Sequence, residues 1–304
     1  MGKYRFLITI LSVLFISNTF SFSFKSLYSS IFTREKYDKV IQKEIPVPKQ
    51  QKLILESKYG PITIQTWQQP KILLKAIKRT TQEEFLPKIS IDIKSSNDRV
   101  AIKTIYKDET QNGSVEYQLL VPSTMNVALK TNTSQIKIEH ITGSVSVYAE
   151  NGDTNLHAIQ GPIDVEIAQN GSIVIEQPGS SIKASTHYGT IDIHDAKKSI
   201  FASTDSGKIR ASSKFVPSSS TIKLDATGPI TLQLPTNINS NLQAETEQGS
   251  IICDHYLTIK PFITQLNSKA WTQFKRSING MLGTGQSQIC LHTISGNIKI
   301  MKTT

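Results

Sequence analysis

Cysteine is almost absent from this 304-residue sequence, which contains only Cys253 and Cys290. Two cysteines cannot supply the dense disulfide framework that holds many small secreted domains together. Aromatic residues make up 7% of the chain and hydrophobic residues 38%. These low fractions argue against one thick globular core and fit a thin core that runs through many short repeats.

Motifs for catalysis and for metal or phosphate binding are missing as well. The sequence has neither a Gly-x-Ser-x-Gly nucleophile elbow nor a phosphate-binding loop. No Asp recurs at the turns, as it would in a Ca²⁺-binding β-roll. The six histidines show no short same-face spacing typical of a metal site. We therefore expect no catalytic, cofactor-binding or metal-binding residue.

An excess of basic residues gives the chain a formal net charge of +10. Such an excess can attract anionic lipid, polysaccharide or nucleic acid without specifying which. Four basic residues at outward positions are interleaved with acidic ones and lack an aromatic ladder, which argues against nucleic-acid binding. They are Lys137, Lys183, Arg210 and Lys223.

The first 24 residues have the layout of a signal peptide. Lys3 and Arg5 precede an apolar run from Phe6 to Ile16, and small and polar residues follow. This run is short for a membrane-spanning helix, but the cleavage site is weakly marked, so an uncleaved N-terminal anchor remains the alternative. We expect export to the periplasm or the cell surface. Residues 25–50 read as a polar lead-in with a short helix near residues 33–43.

A nine-residue repeat organises the sequence that follows. One series of inward positions, with a single ten-residue interval, is Val127, Ile136, Val145, Thr154, Ile163, Ile173, Ile182, Ile191, Ile200 and Ile209. A second series, two residues later, is Leu129, Ile138, Val147, Leu156, Val165, Ile175, Ala184, Ile193, Ala202 and Ala211. The residues between the two series are mostly polar. This alternation is typical of a strand that is buried on one face.

Glycines mark the corners between these strands. Six of them stand two positions before a buried residue, where a tight turn favours positive φ: Gly143, Gly152, Gly161, Gly171, Gly189 and Gly207. Two nine-residue half-rungs would form a coil of about 18 residues, and strands one coil apart would pair in parallel. The sequence thus predicts an all-β fold, a single-stranded β-solenoid, over residues 51–304.

The repeat is interrupted by an inserted hairpin or loop at residues 255–288. The sequence then closes with "ICLHTISGNIKI", which we expect to form the last strand, turn and strand of the solenoid. The strand phase points Cys253 inward and Cys290 outward. Because a disulfide needs Cβ atoms that face each other, we expect both cysteines to be unpaired.

The order of these segments resembles the bacterial putative-adhesin family, β-strand repeat proteins whose domain is of unknown function. The likeness covers about residues 37–303. It includes "KLILESKYGPITIQTW", "YQLLVP", the serial units "GSVSV", "GPIDV", "GSIVI" and "GTIDI", and the closing "LGTGQSQICLHTISGNIKI". The resemblance implies a β-solenoid that faces the cell envelope and carries no assigned catalytic residues.

Three functions remain open for such a chain. The first is a non-catalytic structural or adhesive module that contacts an envelope protein or a polysaccharide, with Trp271, Phe274 and Phe201 as candidate contacts. The second is a carbohydrate-active enzyme, although Asp164 and Asp192 fall on opposite faces rather than together. The third is a scaffold that self-associates through unpaired strand edges at the solenoid ends.

Overall fold

The regular secondary structure of the described chain is almost entirely β-strand. The computed structural model describes residues 37–47, 52–107, 113–259 and 276–303. These residues form 25 strands and one 3₁₀ helix, Glu83–Lys88. The predicted all-β solenoid is confirmed. The described part of the chain contains no α-helix with the length and apolar character of a membrane-spanning segment.

The strands are short and are numbered in chain order. The first twelve are β1 (Tyr37–Pro46), β2 (Lys52–Tyr59), β3 (Ile62–Trp67), β4 (Lys71–Thr80), β5 (Ile89–Ser95), β6 (Val100–Tyr106), β7 (Gly113–Pro122), β8 (Asn126–Thr133), β9 (Ile136–Glu139), β10 (Val145–Asn151), β11 (Thr154–His157) and β12 (Ile163–Asn170). The others are β13 (Ile173–Glu176), β14 (Ile182–Tyr188), β15 (Ile191–His194), β16 (Ile200–Ser206), β17 (Ile209–Ser212), β18 (Thr221–Ala226), β19 (Ile230–Leu234), β20 (Ser240–Thr246), β21 (Ile251–Cys253), β22 (Leu257–Ile259), β23 (Ser277–Leu282), β24 (Ser287–Thr293) and β25 (Ile298–Lys302).

Two long sheets enclose the core. The 12-stranded sheet A has the order β1-β4-β7-β3-β9-β11-β13-β15-β17-β19-β25-β21. The 13-stranded sheet B has the order β22-β23-β20-β24-β18-β16-β14-β12-β10-β8-β2-β6-β5. From β8 to β19 the chain alternates between the sheets, so that one strand of each makes up a coil.

Successive coils are in register, as the repeat predicts. Val127 pairs in parallel with Val145, and Val145 pairs with Ile163, which is a step of 18 residues each time. The next step, from Ile163 to Ile182, is 19 residues long and follows from the single ten-residue interval. The predicted coil length is therefore confirmed.

The core consists of the side chains at the two predicted inward series. All twenty of these positions are buried, including Thr154, where an aliphatic residue would be expected. The predicted inward and outward orientations also hold for the two cysteines. Cys253 packs against the core and is in register with Ile300, whereas Cys290 lies outward beside Lys223. Both thiols are free.

Steric crowding explains the corner glycines better than backbone conformation does. Only Gly152 and Gly189 of the six predicted positions have positive φ. However, a Cβ atom on Gly171, Gly189 or Gly207 would overlap the carbonyl oxygen of the glycine one coil earlier. These glycines thus form a column in which neighbouring coils approach too closely for any side chain. Positive φ in this part of the chain occurs instead mainly at residues with side chains, namely His140, Ala158, Gln177 and Asp195.

The order of the coils departs from the order of the chain near both ends. The segment ICLHTISGNIKI forms the closing strands β24 and β25 of the chain, but these strands do not lie last in the stack. They lie between the coil of β18 and β19 and the coil of β20 and β21, so that Ile289 pairs with Ile222 on one side and Leu242 on the other. Likewise, β2 and β3 lie between the coil of β8 and β9 and the strands β6 and β7.

Antiparallel strands flank the parallel stack. At one end β1 pairs with β4, β4 with β7, and β5 with β6. We call residues 37–46 and 71–107, which comprise β1, β4, the 3₁₀ helix, β5 and β6, the N-terminal cap. The helix expected near residues 33–43 is not formed over residues 37–43, because β1 pairs along its ten residues with β4 and this tertiary pairing overrides local preference. Residues 33–36 lie outside the described residues.

The opposite end of sheet B is extended within the segment predicted to interrupt the repeat. There β23 pairs antiparallel with β20, and β22 pairs antiparallel with β23. Sheet A ends at the three-residue strand β21. The described parts of residues 255–288 therefore add strands to one sheet only.

Candidate functional site

A depression lies on the outer face of sheet B. It has a volume of about 320 Å³ and lies over β18, β24, β20 and β23. We call it the trough. It exists at this end of the sheet because the antiparallel strand β23 adds a further wall beside β20.

Strand register arranges the side chains of the trough in two rows across the four strands. The first row is Lys223, Cys290, Gln243 and Asn279. The second row is Asp225, His292, Glu245 and Ser277. Leu224, Leu291 and Ala244, which lie between the rows in sequence, point into the core. Period-two alternation thus presents a mainly polar array on the outside.

One imidazole lies at the centre of the second row. His292 Nδ1 is 3.1 Å from Asp225 Oδ1, and Glu245 is its register partner on the other side. Both carboxylates are exposed, with the Asp225 side chain 52% accessible. The side chains of the second row can therefore both accept and donate hydrogen bonds. No group of three or more His, Cys, Asp or Glu side chains within the described ranges is placed to hold a metal ion.

Phe201 lies beside the trough. It is in register with Lys223 and is therefore one strand outside the first row. Its exposed fraction is 43%, so the ring is not covered by a loop of the described chain. The other two predicted contacts, Trp271 and Phe274, lie outside the described residues, in the segment that connects β22 to β23.

The two thiols have different surroundings. Cys290 is half-buried within the first row of the trough. Cys253 belongs to sheet A, where burial raises the pKa of its thiol above the usual value. A raised pKa lowers the fraction of thiolate, so Cys253 has the character of a structural residue rather than a nucleophile.

Sheet A carries a ladder of alternating glutamate and histidine that sequence reasoning missed. Glu139, His157, Glu176 and His194 are register neighbours on four successive coils. The rings of His140 and His157 also meet edge to face, with centroids 5.2 Å apart. The spacing of 18 or 19 residues between these positions was the available signal, because it equals the length of one coil.

Hydrogen bonds hold the first member of this ladder in its charged form. Burial opposes ionisation of Glu139, but contacts with Lys137, at 2.8 Å, and with Gln65, at 3.0 Å, lower the pKa of its carboxyl below the usual value. The polar contacts of Glu139 are therefore local ones, with Lys137 on its own strand and Gln65.

The remaining strand charges are dispersed, as the sequence predicted. Asp164 lies on sheet B with Lys183 at 3.9 Å, whereas Asp192 lies on sheet A and binds Arg210 through two hydrogen bonds. The two aspartates thus belong to opposite sheets, and no continuous basic stripe joins the four outward cations.

Comparisons with known proteins agree with the family suggested by the sequence. The family model described as Toastrack DUF4097 matches residues 39–301. No curated protein matches the chain.

Several solved structures are similar in fold. A "putative adhesin" from Bacteroides fragilis is 11% identical, covers 86% of this chain and 97% of its own, and has a TM-score of 0.46. A "putative adhesin" from Parabacteroides distasonis is 9% identical, with coverages of 87% and 97% and a TM-score of 0.39. A "putative cell adhesion protein" from Clostridium sporogenes is 12% identical, with coverages of 88% and 100% and a TM-score of 0.29.

Proposed function

Because the chain belongs to the Toastrack DUF4097 family, a family of β-solenoid-like proteins without an assigned activity, we propose that it is a non-catalytic contact module of the cell envelope. The trough is its binding site, and a polysaccharide is the ligand. The observation that carries this proposal is the array of two rows and four strands with Phe201 at its margin.

The chemistry of the array suits a polyhydroxylated ligand. Gln243, Asn279 and Ser277 can donate and accept hydrogen bonds, and Asp225 and Glu245 can accept them. The exposed ring of Phe201 offers a flat apolar surface next to these groups. A sugar presents hydroxyl groups along its edge and an apolar face, so it could use both. The site is open, which fits a long chain better than a small enclosed molecule.

Export supports this reading. Lys3, Arg5 and the apolar run that follows lie outside the described residues, but their order is that of a signal peptide. We propose that the chain reaches the periplasm or the cell surface. Fractionation and N-terminal sequencing test this, and recovery of the full-length chain in the soluble cytosol would contradict it.

A binding assay with a matched aromatic control tests the trough. We expect Phe201→Ala to weaken retention on an immobilised glycan array by about twofold to tenfold, since stacking of an aromatic ring contributes roughly 0.5–1.5 kcal/mol. Phe215→Ala is the control, because Phe215 is exposed but lies in the loop between β17 and β18. Equal losses in the two variants, or no glycan bound by the unmodified chain, would contradict the proposal.

A carbohydrate-active enzyme is the second candidate, and one observation favours it. Asp225 and Glu245 flank β24, which places their Cα atoms two strand spacings apart, roughly 9–10 Å. Inverting glycosidases use carboxyl pairs about 6.5–9.5 Å apart. However, both carboxylates here are exposed, whereas the general acid of such an enzyme commonly lies in an apolar pocket. Glycan depolymerisation that disappeared in Asp225→Asn or Glu245→Gln would establish the enzyme instead.

Self-association is the third candidate and has its own site. Strand β21 ends sheet A, and Ile252 on this strand is 50% exposed. The backbone groups of Ile251 and Cys253 face away from β25, because Ser250 and Asp254 make the hydrogen bonds to it. A second copy could add a strand there. Light scattering should then show dimers that Ile252→Lys abolishes, and a concentration-independent monomer would contradict this candidate.

A further inference from the structure

Positive charge is concentrated at one end of the solenoid. The N-terminal cap contains 11 Lys and Arg against 6 Asp and Glu, which gives a net charge of +5. The rest of the described chain contains 14 Lys and Arg against 15 Asp and Glu, a net charge of −1. All of the net positive charge of the described residues therefore belongs to the cap.

Several cations of the cap are exposed and form no salt bridge with a described residue. Lys71 pairs with Glu44 at 2.8 Å, and Lys94 pairs with Asp92 at 3.2 Å, so these lysines are balanced locally. Four other exposed cations form no salt bridge with a described residue: Lys39, Lys43, Arg99 and Lys107.

These four cations lie at the very end of the stack. Lys39 and Lys43 belong to β1, which is the edge strand of sheet A, and their register partners Lys78 and Leu74 are buried. The side chains of Lys39 and Lys43 thus project from the core-facing side of β1, the last strand of sheet A, and not from its outer face. Arg99 and Lys107 flank β6, whose neighbour β5 is the edge of sheet B.

We propose that the N-terminal cap docks on an anionic lipid surface. The chain before Tyr37 leads directly into β1 of the cap, and it carries five further Lys and Arg against one Glu in residues 1–36. A Lys or Arg side chain near an anionic leaflet strengthens membrane binding, so the exposed cations of the cap provide an electrostatic contact with such a surface.

Protection of the edge strands against aggregation is the competing explanation for these charges. Lysines on edge strands discourage pairing with another chain, and inward-pointing charges do so most effectively. That role requires charge of either sign at β1 and β5, whereas attraction to lipid requires positive charge. Charge reversal therefore separates the two explanations.

The experiment uses the full-length chain and vesicles of two compositions. Flotation is measured with vesicles of phosphatidylcholine alone and with vesicles that contain phosphatidylglycerol. We expect the anionic vesicles to bind the chain at least about tenfold more tightly, with a preference that decreases as salt rises. The cap variant carries four substitutions to Glu, at Lys39, Lys43, Arg99 and Lys107, and should lose this preference.

A variant of equal charge change is the control. Lys197, Lys198, Lys208 and Lys299 are exposed on the body of the solenoid, and their replacement by Glu should leave the preference within about threefold. Thermal melts establish that both variants are folded, and a version of the cap variant with Gln instead of Glu should lose the preference in part.

Three outcomes would overturn the proposal. These are equal binding to both vesicle types, equal losses in the cap and body variants, or a cap that binds a soluble anionic polysaccharide but not anionic vesicles. The proposal rests on export but not on the trough. Since Phe201→Ala should leave vesicle binding unchanged, failure of the glycan assay and failure of this one are distinguishable.

Discussion

Replacing Thr154 by valine should stabilise the protein. The Thr154 side chain is 1% exposed, and its hydroxyl has no hydrogen-bond partner among the described residues. Its neighbours in adjacent coils at the same inward position are Ile136 and Ile173. A buried hydroxyl without a partner costs about 1–3 kcal/mol. Because valine has nearly the same shape and no hydroxyl, we expect the free energy of unfolding to rise by about 1 kcal/mol.

Chemical denaturation of Thr154→Val and Thr186→Val, followed by circular dichroism, measures this effect. Thr186 is also buried, but its hydroxyl donates a hydrogen bond of 2.9 Å to the carbonyl oxygen of Gly171. The same substitution there should lower the free energy of unfolding by about 1 kcal/mol. The two substitutions should therefore change the free energy of unfolding in opposite directions. If Thr154→Val were destabilising to the same extent as Thr186→Val, the Thr154 hydroxyl would have a partner and the reasoning would be wrong.

Three further predictions address the register, the glycine column and one buried phenol. Leu156→Lys should cost several kcal/mol because it buries an unpaired charge, whereas Asn155→Lys on the outer face should change stability by less than about 0.5 kcal/mol; similar melting shifts would show that the register is wrong. Gly207→Ala should lower the melting temperature and broaden the transition, since the new methyl group would overlap the preceding coil, and an unchanged melt would refute the steric explanation of the column. Burial raises the pKa of Tyr117 to about 12, with a hydrogen bond to Thr104 acting in the opposite direction. The unfolded chain therefore loses the phenol proton at a lower pH than the folded chain, so the contribution of Tyr117 to stability should be constant below about pH 10 and decrease as the pH rises towards 12. Tyr117→Phe should remove this pH dependence from the free energy of unfolding.

The repeat could be predicted from the sequence because the residue pattern of each half-rung indicates its strand and the face of that strand that is buried. Alternation at Ile163, Asp164 and Val165 requires one buried face, and the nine-residue spacing repeats that requirement until only a solenoid satisfies it. The position of Phe201 followed from the same phase, since it stands between two buried residues of β16. Its location beside a trough did not, because that depends on which strands lie next to β18.

Features that depend on long-range pairing were not accessible in this way. β24 and β25 follow the same pattern of buried residues as any other coil, so nothing local indicates that Ile289 lies between Ile222 and Leu242. The strand β1 was read as a helix because its polar sequence, taken alone, lacks a strongly buried face, and its pairing with β4 decides its conformation. In physical terms, the local pattern fixes the phase of a strand but not its neighbour.

The interleaved C-terminal strands have a consequence for the way this chain is made. On the ribosome, β18 and β19 are complete before β20 and β21, but these two coils do not touch as neighbours in the finished protein, because β24 and β25 separate them. Synthesis has to reach residue 302, the end of β25, before the gap can be filled. This end of the stack therefore stays open in a nascent chain until β25 has left the exit tunnel of the ribosome. If the protein is exported, the same end would stay open until β24 and β25 have crossed the membrane, and it would close only on the far side.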